Sequence, residues 1–235
     1  MKVRFRYSKL GKIRWTSHRD VARMWERAFR RTHLPLAYSQ GFSPRPKVSF
    51  GLALPTGGES LGEYLDVEVP PGAAGDVDVA ALPGRLGTAL PEGVEVAAAA
   101  VIDDRALSLQ HEVTSCEWTV WVAGVPQEEL GELASAAMAA EELLLARERK
   151  GQTTTEDVRP GILACAVEGG ALQCELATRP RALRPSELLR ALRPGLESSL
   201  VRRTHQWIER EGARVEPLAR LLDATGAPYA HGRAS

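Results

Sequence analysis

Apolar residues at Val21, Met24, Trp25, Ala28 and Phe29 recur at the i, i+3, i+4, i+7, i+8 spacing of one buried helical face. Thr16 and Ser17 precede them as candidate N-caps. Asp20 follows Ser17 by three residues, a capping-box-like start with a carboxylate where the helix dipole favours it. Pro35 ends the helix, because the residue before a proline leaves the helical region. Arg19, Arg23, Arg27, Arg30 and Arg31 line another face, with Glu26 alone to offset them. Such a stripe suits phosphate, which guanidinium binds bidentately, or is simply a solvated helical face.

Around this helix the pattern is extended. Val3, Phe5 and Tyr7 alternate with polar residues, and so do Val48, Phe50 and Leu52; Ile13 to Trp15 continues extended, and Glu63 to Val69 predicts a third strand. Asp78 to Leu90 predicts a weak helix and Val94 to Ile102 a closing strand. The order then repeats. A strand at Cys116 to Val122 precedes the longest expected helix, Gln127 to Lys150. Strands follow at 153–158, 162–167 and 172–178, the last two joined by Gly169-Gly170, then a helix at Ser186 to Leu192 capped by Ser186, and a strand at 202–208. The fold class expected is α+β: two tandem ferredoxin-like (βαββαβ) domains with antiparallel sheets. Residues 1–103 form the basic first domain, 104–115 a linker, 116–216 the second domain and 217–235 a tail disordered at its end.

Charge sharpens this picture. The chain is neutral overall, yet residues 1–50 carry 13 Lys and Arg against two acids, and the other 185 residues carry 17 basic against 28 acidic. That asymmetry points to a polyanion site near the N-terminus, nucleic acid foremost. Cys116, Cys165 and Cys174 have neither metal nor cluster spacing, which suits a reducing compartment. No signal peptide is recognisable, no apolar run approaches the roughly 18 residues of a span, and a cytoplasmic protein is expected.

Four groups of residues are candidates for chemistry. The loop LPLAYSQGFSPRPKVSF sets Tyr38 and Phe42 beside Arg45 and Lys47, with Gly41 permitting a turn and Pro44 stiffening it. Aromatics among cations suit single-stranded RNA, or Tyr38 and Phe42 plug the core of a rigid connection. His18 and His33 stand at opposite ends of the helix, about four turns apart. Either alone is a candidate base on a ribose hydroxyl, or else a cap partner and a C-terminal cation. Glu59, Glu63, Asp66 and Glu68 form an acidic cluster that could bind magnesium or act as an acid–base pair, though alternation explains Asp66 and Glu68 as a solvated face, and pairing with the basic stretch is the other role. A second basic patch holds Arg179, Arg181, Arg184, Arg190, Arg193, Arg202 and Arg203.

Phe5 and Tyr7, Lys9-x-Gly11, the helix start Ser17-His18-x-Asp20, Glu26-Arg27-Ala28, then LPLAYSQGFSPRPK with Gly41 and Pro44, and LPTGGESLGEYLDVEV with Glu59 and Glu63, resemble the radical-SAM-linked protein family, a domain of unknown function. The match covers residues 1–70, and Asp157-x-Arg159-Pro160 with Ile162 is similar to its second signature. The resemblance implies a separate radical SAM enzyme as partner, carrying S-adenosylmethionine and an iron–sulfur cluster. It supplies no cofactor, metal or catalytic residue to this chain. The expectation is therefore a non-catalytic accessory protein that binds RNA through the basic helix and loop. The alternatives are a metal-independent RNA endonuclease using His18 or His33, similar in outline to enzymes that process CRISPR transcripts, and a purely protein-interaction subunit.

Overall fold

Strand β1 (Lys2–Lys9) and helix α1 (His18–Arg31) are built from the alternation and the helical spacing just described. They meet through Phe5, Tyr7, Trp25 and Phe29, whose rings lie 4.9–6.2 Å apart. The computed structural model describes residues 1–149, 152–210 and 212–218. After α1 come β2 (Val48–Phe50), β3 (Glu59–Glu68), α2 (Leu82–Gly87) and β4 (Val94–Ile102), then the single turn α3 (Leu109–Glu112). The second half contains β5 (Val113–Val122), α4 (Gln127–Ala139), β6 (Leu144–Arg149), β7 (Gln152–Asp157), β8 (Ile162–Glu168), β9 (Ala171–Ala177), α5 (Pro185–Leu192), β10 (Ser198–Arg210) and β11 (Ala213–Val215).

The fold is mixed α+β, with few helices and one large, mostly antiparallel sheet. Its strand order is β4-β1-β3-β10-β5-β9-β8, with β2 added beside β3 and β11 beside β10, while β6 and β7 form a separate hairpin. The parallel pairing in the large sheet is between β3 and β10, through Glu59 with Arg202 and Ser60 with Arg203. Each half has its own apolar cluster. One gathers Phe5, Trp25, Phe29, Leu65, Leu82 and Leu86; the other gathers Trp118, Val120, Leu130, Ile162, Leu172 and Leu188.

Several elements differ from the sequence reading. Ile13 to Trp15 belongs to a 3-10 helix, Gly11–Trp15, not to a strand. Helix α2 occupies six residues of the thirteen-residue stretch expected. Helix α4 stops at Ala139, and Leu144–Arg149 is extended instead of helical; Lys150 lies outside the described residues. Arg159 explains the stop: its guanidinium donates to the carbonyls of Met138 (2.8 Å), Ala140 (3.1 Å) and Ile162 (2.9 Å). Asp157 accepts from the amides of Leu143 (2.8 Å) and Arg159 (2.9 Å), so both signature residues tie the chain after α4 to the turn after β7. Strong helix formers are thereby overruled by tertiary contacts. Helix α5 starts one residue earlier than expected, with Pro185 at N1 and Arg184, not Ser186, as N-cap; the Arg184 amide donates to Glu187 at 3.0 Å. Of the expected tail, Pro217 and Leu218 are buried, and residues from 219 onward lie outside the described residues.

Candidate nucleic-acid interface

Helix α1 is fixed at both ends by its own sequence. Ser17 caps it, its hydroxyl accepting from the Asp20 amide at 3.2 Å and donating to the Asp20 carboxylate at 2.7 Å. At the other end the Leu34 amide donates to the Phe29 carbonyl (3.0 Å) and the His33 amide to the Arg30 carbonyl (3.2 Å), a Schellman closure. His33 occupies the left-handed position usually given to glycine, with φ +51°. Val21, Met24, Trp25, Ala28 and Phe29 are buried, and all five arginines of the helix are exposed.

The loop after α1 turns back as a hairpin. Ser39 and Arg45 are joined by their backbones at 2.9 Å and by the Arg45 amide to the Ser39 hydroxyl at 3.1 Å; Lys47 bonds back to Ala37 at 2.8 Å. Gly41, at φ +130°, makes the tip, and Phe42 there is fully exposed. Tyr38 is half-exposed, so neither aromatic plugs the core. The hairpin and α1 enclose an open groove of about 430 Å³. Arg19, Arg23 and Arg30 line it from the helix, Tyr38, Pro44 and Arg45 from the hairpin, and Phe29 and Leu34 from below. Glu26 is the acid in its lining. Beyond α1 a second depression, of about 490 Å³, is lined by Arg27, Arg30 and Arg31, with Arg30 shared between the two.

Charge pairing separates these arginines from those on β1 and β10. Among the described residues, Arg19, Arg27, Arg30, Arg31 and Arg45 have no carboxylate within ion-pair distance, and Arg23 reaches Asp20 only at 3.4 Å. Lys47 is not in the groove; its ammonium pairs with Glu68 at 2.7 Å.

Glu68 is half-exposed, as the alternation implies, but Glu59, Glu63 and Asp66 do not form a solvated face. Asp66 is 1% exposed and takes Arg4 in a two-pronged pair at 2.7 and 2.9 Å, while Glu63 accepts from Arg203 at 2.6 and 3.0 Å. Glu59 accepts from Arg202 at 2.7 and 3.0 Å and from the Gly11 amide at 2.8 Å. Burial pushes the Glu59 carboxyl upward, but these donors outweigh it and hold the group below its usual range. Four of the seven arginines in the second basic patch are consumed by ion pairs. Arg202 and Arg203 are tied to β3, Arg181 pairs with Glu156 and Glu187, and Arg193 with Glu129; Arg179, Arg184 and Arg190 stay exposed. Alternation alone could not find these partners, which stand 62, 140 and 143 residues apart in the chain.

The histidines do not share a site. His18 packs edge-on against Phe50 at 5.3 Å, beside a small cavity with Lys9 and Glu63; His33 closes the far end of α1. Among the described residues no cluster of three His, Cys, Asp or Glu side chains is placed to hold a metal ion, and no helix is long and apolar enough to cross a membrane. Cys165 stands opposite Cys174 across β8 and β9, a neighbour their sequence spacing conceals, and all three thiols are free and buried.

A mixed α+β chain with a basic, aromatic-edged groove beside one helix is the class that fold and site define. The chain belongs to the DUF2344 family, described as an uncharacterized protein conserved in bacteria, whose model matches residues 2–189. No curated protein matches it in sequence. Solved structures similar to it include a chain from the crystal structure of a Cbf5-Nop10-Gar1 complex, at TM-score 0.42 and 13% identity. That alignment covers 86% of this chain and 49% of the other, so this chain spans about half the length of that neighbour.

Proposed function

We propose that this protein is a non-catalytic accessory protein that binds single-stranded RNA in the groove between α1 and its hairpin, and serves a separate radical SAM enzyme in the cytoplasm. The observation that carries the RNA reading is the state of the arginines. Those on β1 and β10 are paired within the fold, whereas Arg19, Arg30 and Arg45 converge on one groove without carboxylate partners among the described residues. Guanidiniums so placed donate to phosphate oxygens, and Tyr38 and Phe42 offer faces to unpaired bases. The radical SAM partner is supported by the sequence signatures of residues 1–70, and it would bring the S-adenosylmethionine and iron–sulfur chemistry. We further read the frame as two tandem ferredoxin-like units. The strand orders β4-β1-β3-β2 and β10-β5-β9-β8, each antiparallel throughout, support this reading.

The test is binding of total cellular RNA across a salt series by the protein and by its Arg19→Ala/Arg30→Ala/Arg45→Ala variant. Loss of three phosphate contacts flattens the log–log slope by about 2, at ~0.7 per contact for single strands. Arg190→Ala, on α5, leaves the slope unchanged. An equal slope in the triple variant refutes the groove. RNA cleavage abolished by His18→Ala or His33→Ala would instead make the chain a nuclease. Binding to RNA no tighter than to heparin at matched salt would make it a protein-interaction subunit.

A further inference from the structure

A further cavity lies away from the basic groove, in the trough where the two halves meet. It has a volume of about 450 Å³, within the range of small-molecule sites. Leu52 and Leu54 form one wall, and Leu176 and Leu183 the other. Its floor is the central sheet, where Trp118 and Arg203 lie side by side on β5 and β10, the guanidinium 5.1 Å above the indole ring.

One donor in this lining is unused and a second is weakly used. The indole N–H of Trp118 is buried, in a residue only 6% exposed, and has no hydrogen-bond partner. A buried donor left unmade is costly, so it calls for an acceptor. Arg203 spends its Nε and Nη2 on Glu63 and the Leu52 carbonyl, but its Nη1 meets only the Cys116 sulfur, at 4.0 Å. That thiol is pushed up to about 11, chiefly by burial, so at neutral pH it stays a neutral, weak acceptor. Arg184 is exposed and also lines the trough; among the described residues it has no carboxylate partner and no acid lines the trough.

We infer that the trough between the halves is a binding site for a small amphipathic carboxylate, whose apolar body lies between the leucine walls and whose carboxylate accepts from Trp118 and Arg203. Arg184 at the opening offsets the ligand's charge. The site is independent of the RNA groove, and its test does not depend on that reading.

The experiment uses the whole chain labelled with ¹⁵N, with octanoate and octan-1-ol as probes of equal chain length. The indole N–H resonance of Trp118 is assigned by its loss in Trp118→Phe. Octanoate moves that resonance saturably, and binds about fivefold or more tighter than octan-1-ol, the scale of one partly exposed ion pair. Arg184→Ala weakens octanoate and so narrows the preference, without changing octan-1-ol binding. Ala182→Trp, an exposed lining position, obstructs the trough and abolishes the shift while leaving the melting temperature within a few degrees. A Trp118 resonance unmoved up to the solubility limit of octanoate, or moved equally in Ala182→Trp, overturns the inference. So does equal affinity for the two probes.

Discussion

The Glu63–Arg203 pair makes a prediction that depends on which partner is removed. Both side chains are buried, at 9% and 1% exposure, and one carboxylate oxygen receives both guanidinium bonds. Glu63→Ala strands a cation that retains the Leu52 carbonyl, the weak Cys116 sulfur contact and the Trp118 ring, and no carboxylate among the described residues. Arginine cannot escape by losing its proton, so the loss is about 3–5 kcal/mol at any pH from 5 to 8. For a chain of this length that is a fall in Tm of about 6–20 °C. Arg203→Ala strands a carboxylate, which can escape by taking a proton. Each pH unit makes that escape easier by about 1.4 kcal/mol, so from pH 7 to pH 5 up to ~2.7 kcal/mol of its deficit is recovered. Replacing both residues by methionine removes the desolvation of two charges along with their attraction, and leaves stability within about 1 kcal/mol of the parent. Urea unfolding followed by circular dichroism at pH 5, 6 and 7 measures all three. The reasoning is refuted if Glu63→Ala loses less than ~1 kcal/mol, or if Arg203→Ala is as costly at pH 5 as at pH 7.

Three further expectations follow from local geometry. His33→Gly relieves a left-handed residue at the end of α1 and raises Tm by about 1–3 °C in a thermal melt. Gly93→Ala sets a Cβ 2.4 Å from the Leu10 carbonyl oxygen at φ +88° and loses more than ~2 kcal/mol in urea, whereas Gly84→Ala, in open space on α2, is neutral or gains ~0.5 kcal/mol. Glu59 and Glu187 are held below the usual glutamate range: burial opposes this, but hydrogen bonds from Arg202 and Gly11, and from Arg184 and Arg181, prevail. The unfolded chain therefore takes up protons first, and stability present above about pH 4.3 falls as the pH drops below it. Glu59→Gln is less stable at pH 7 and flatter in its acid limb, as urea midpoints at pH 7, 5, 4 and 3 will show.

Local physics was legible in the chain, and distant pairing was not. The five residues that α1 buries are those its spacing selects, because a helix on a sheet needs one apolar face and little else. The arginines on its other face are exposed as the same spacing implies. By contrast, Asp66 sits on the strand face opposite Leu65 and Val67, where alternation predicts solvent; Arg4, an Arg among strand apolars, buries it. Pairing of this strand with the basic stretch is one reading of the sequence, but nothing in either segment marks Arg4 as the partner of Asp66. The stretch after Ala139 misled for a related reason. Its leucines, glutamates and arginines favour helix, yet β6 pairs with β7 and Leu145 is buried, while Arg159 caps the chain where α4 ends. The groove lay in between: its residues were identifiable one by one, but Lys47 turned to Glu68, and only the hairpin bonds of Ser39 and Arg45 bring the loop to face the helix.

The parallel seam between β3 and β10 also has a history within each molecule's synthesis. Arg4 and Asp66 are 62 residues apart and can join while the chain is still short, whereas Glu63 waits for a partner 140 residues further on. At about 5–20 residues per second that wait lasts roughly 7–28 s on the ribosome. Throughout it the first half carries an unpaired carboxylate among its apolar residues and, beside it, a strand edge with open backbone groups. The newborn first half is thus adhesive for a time, and the arrival of β10 ends that exposure by completing the sheet.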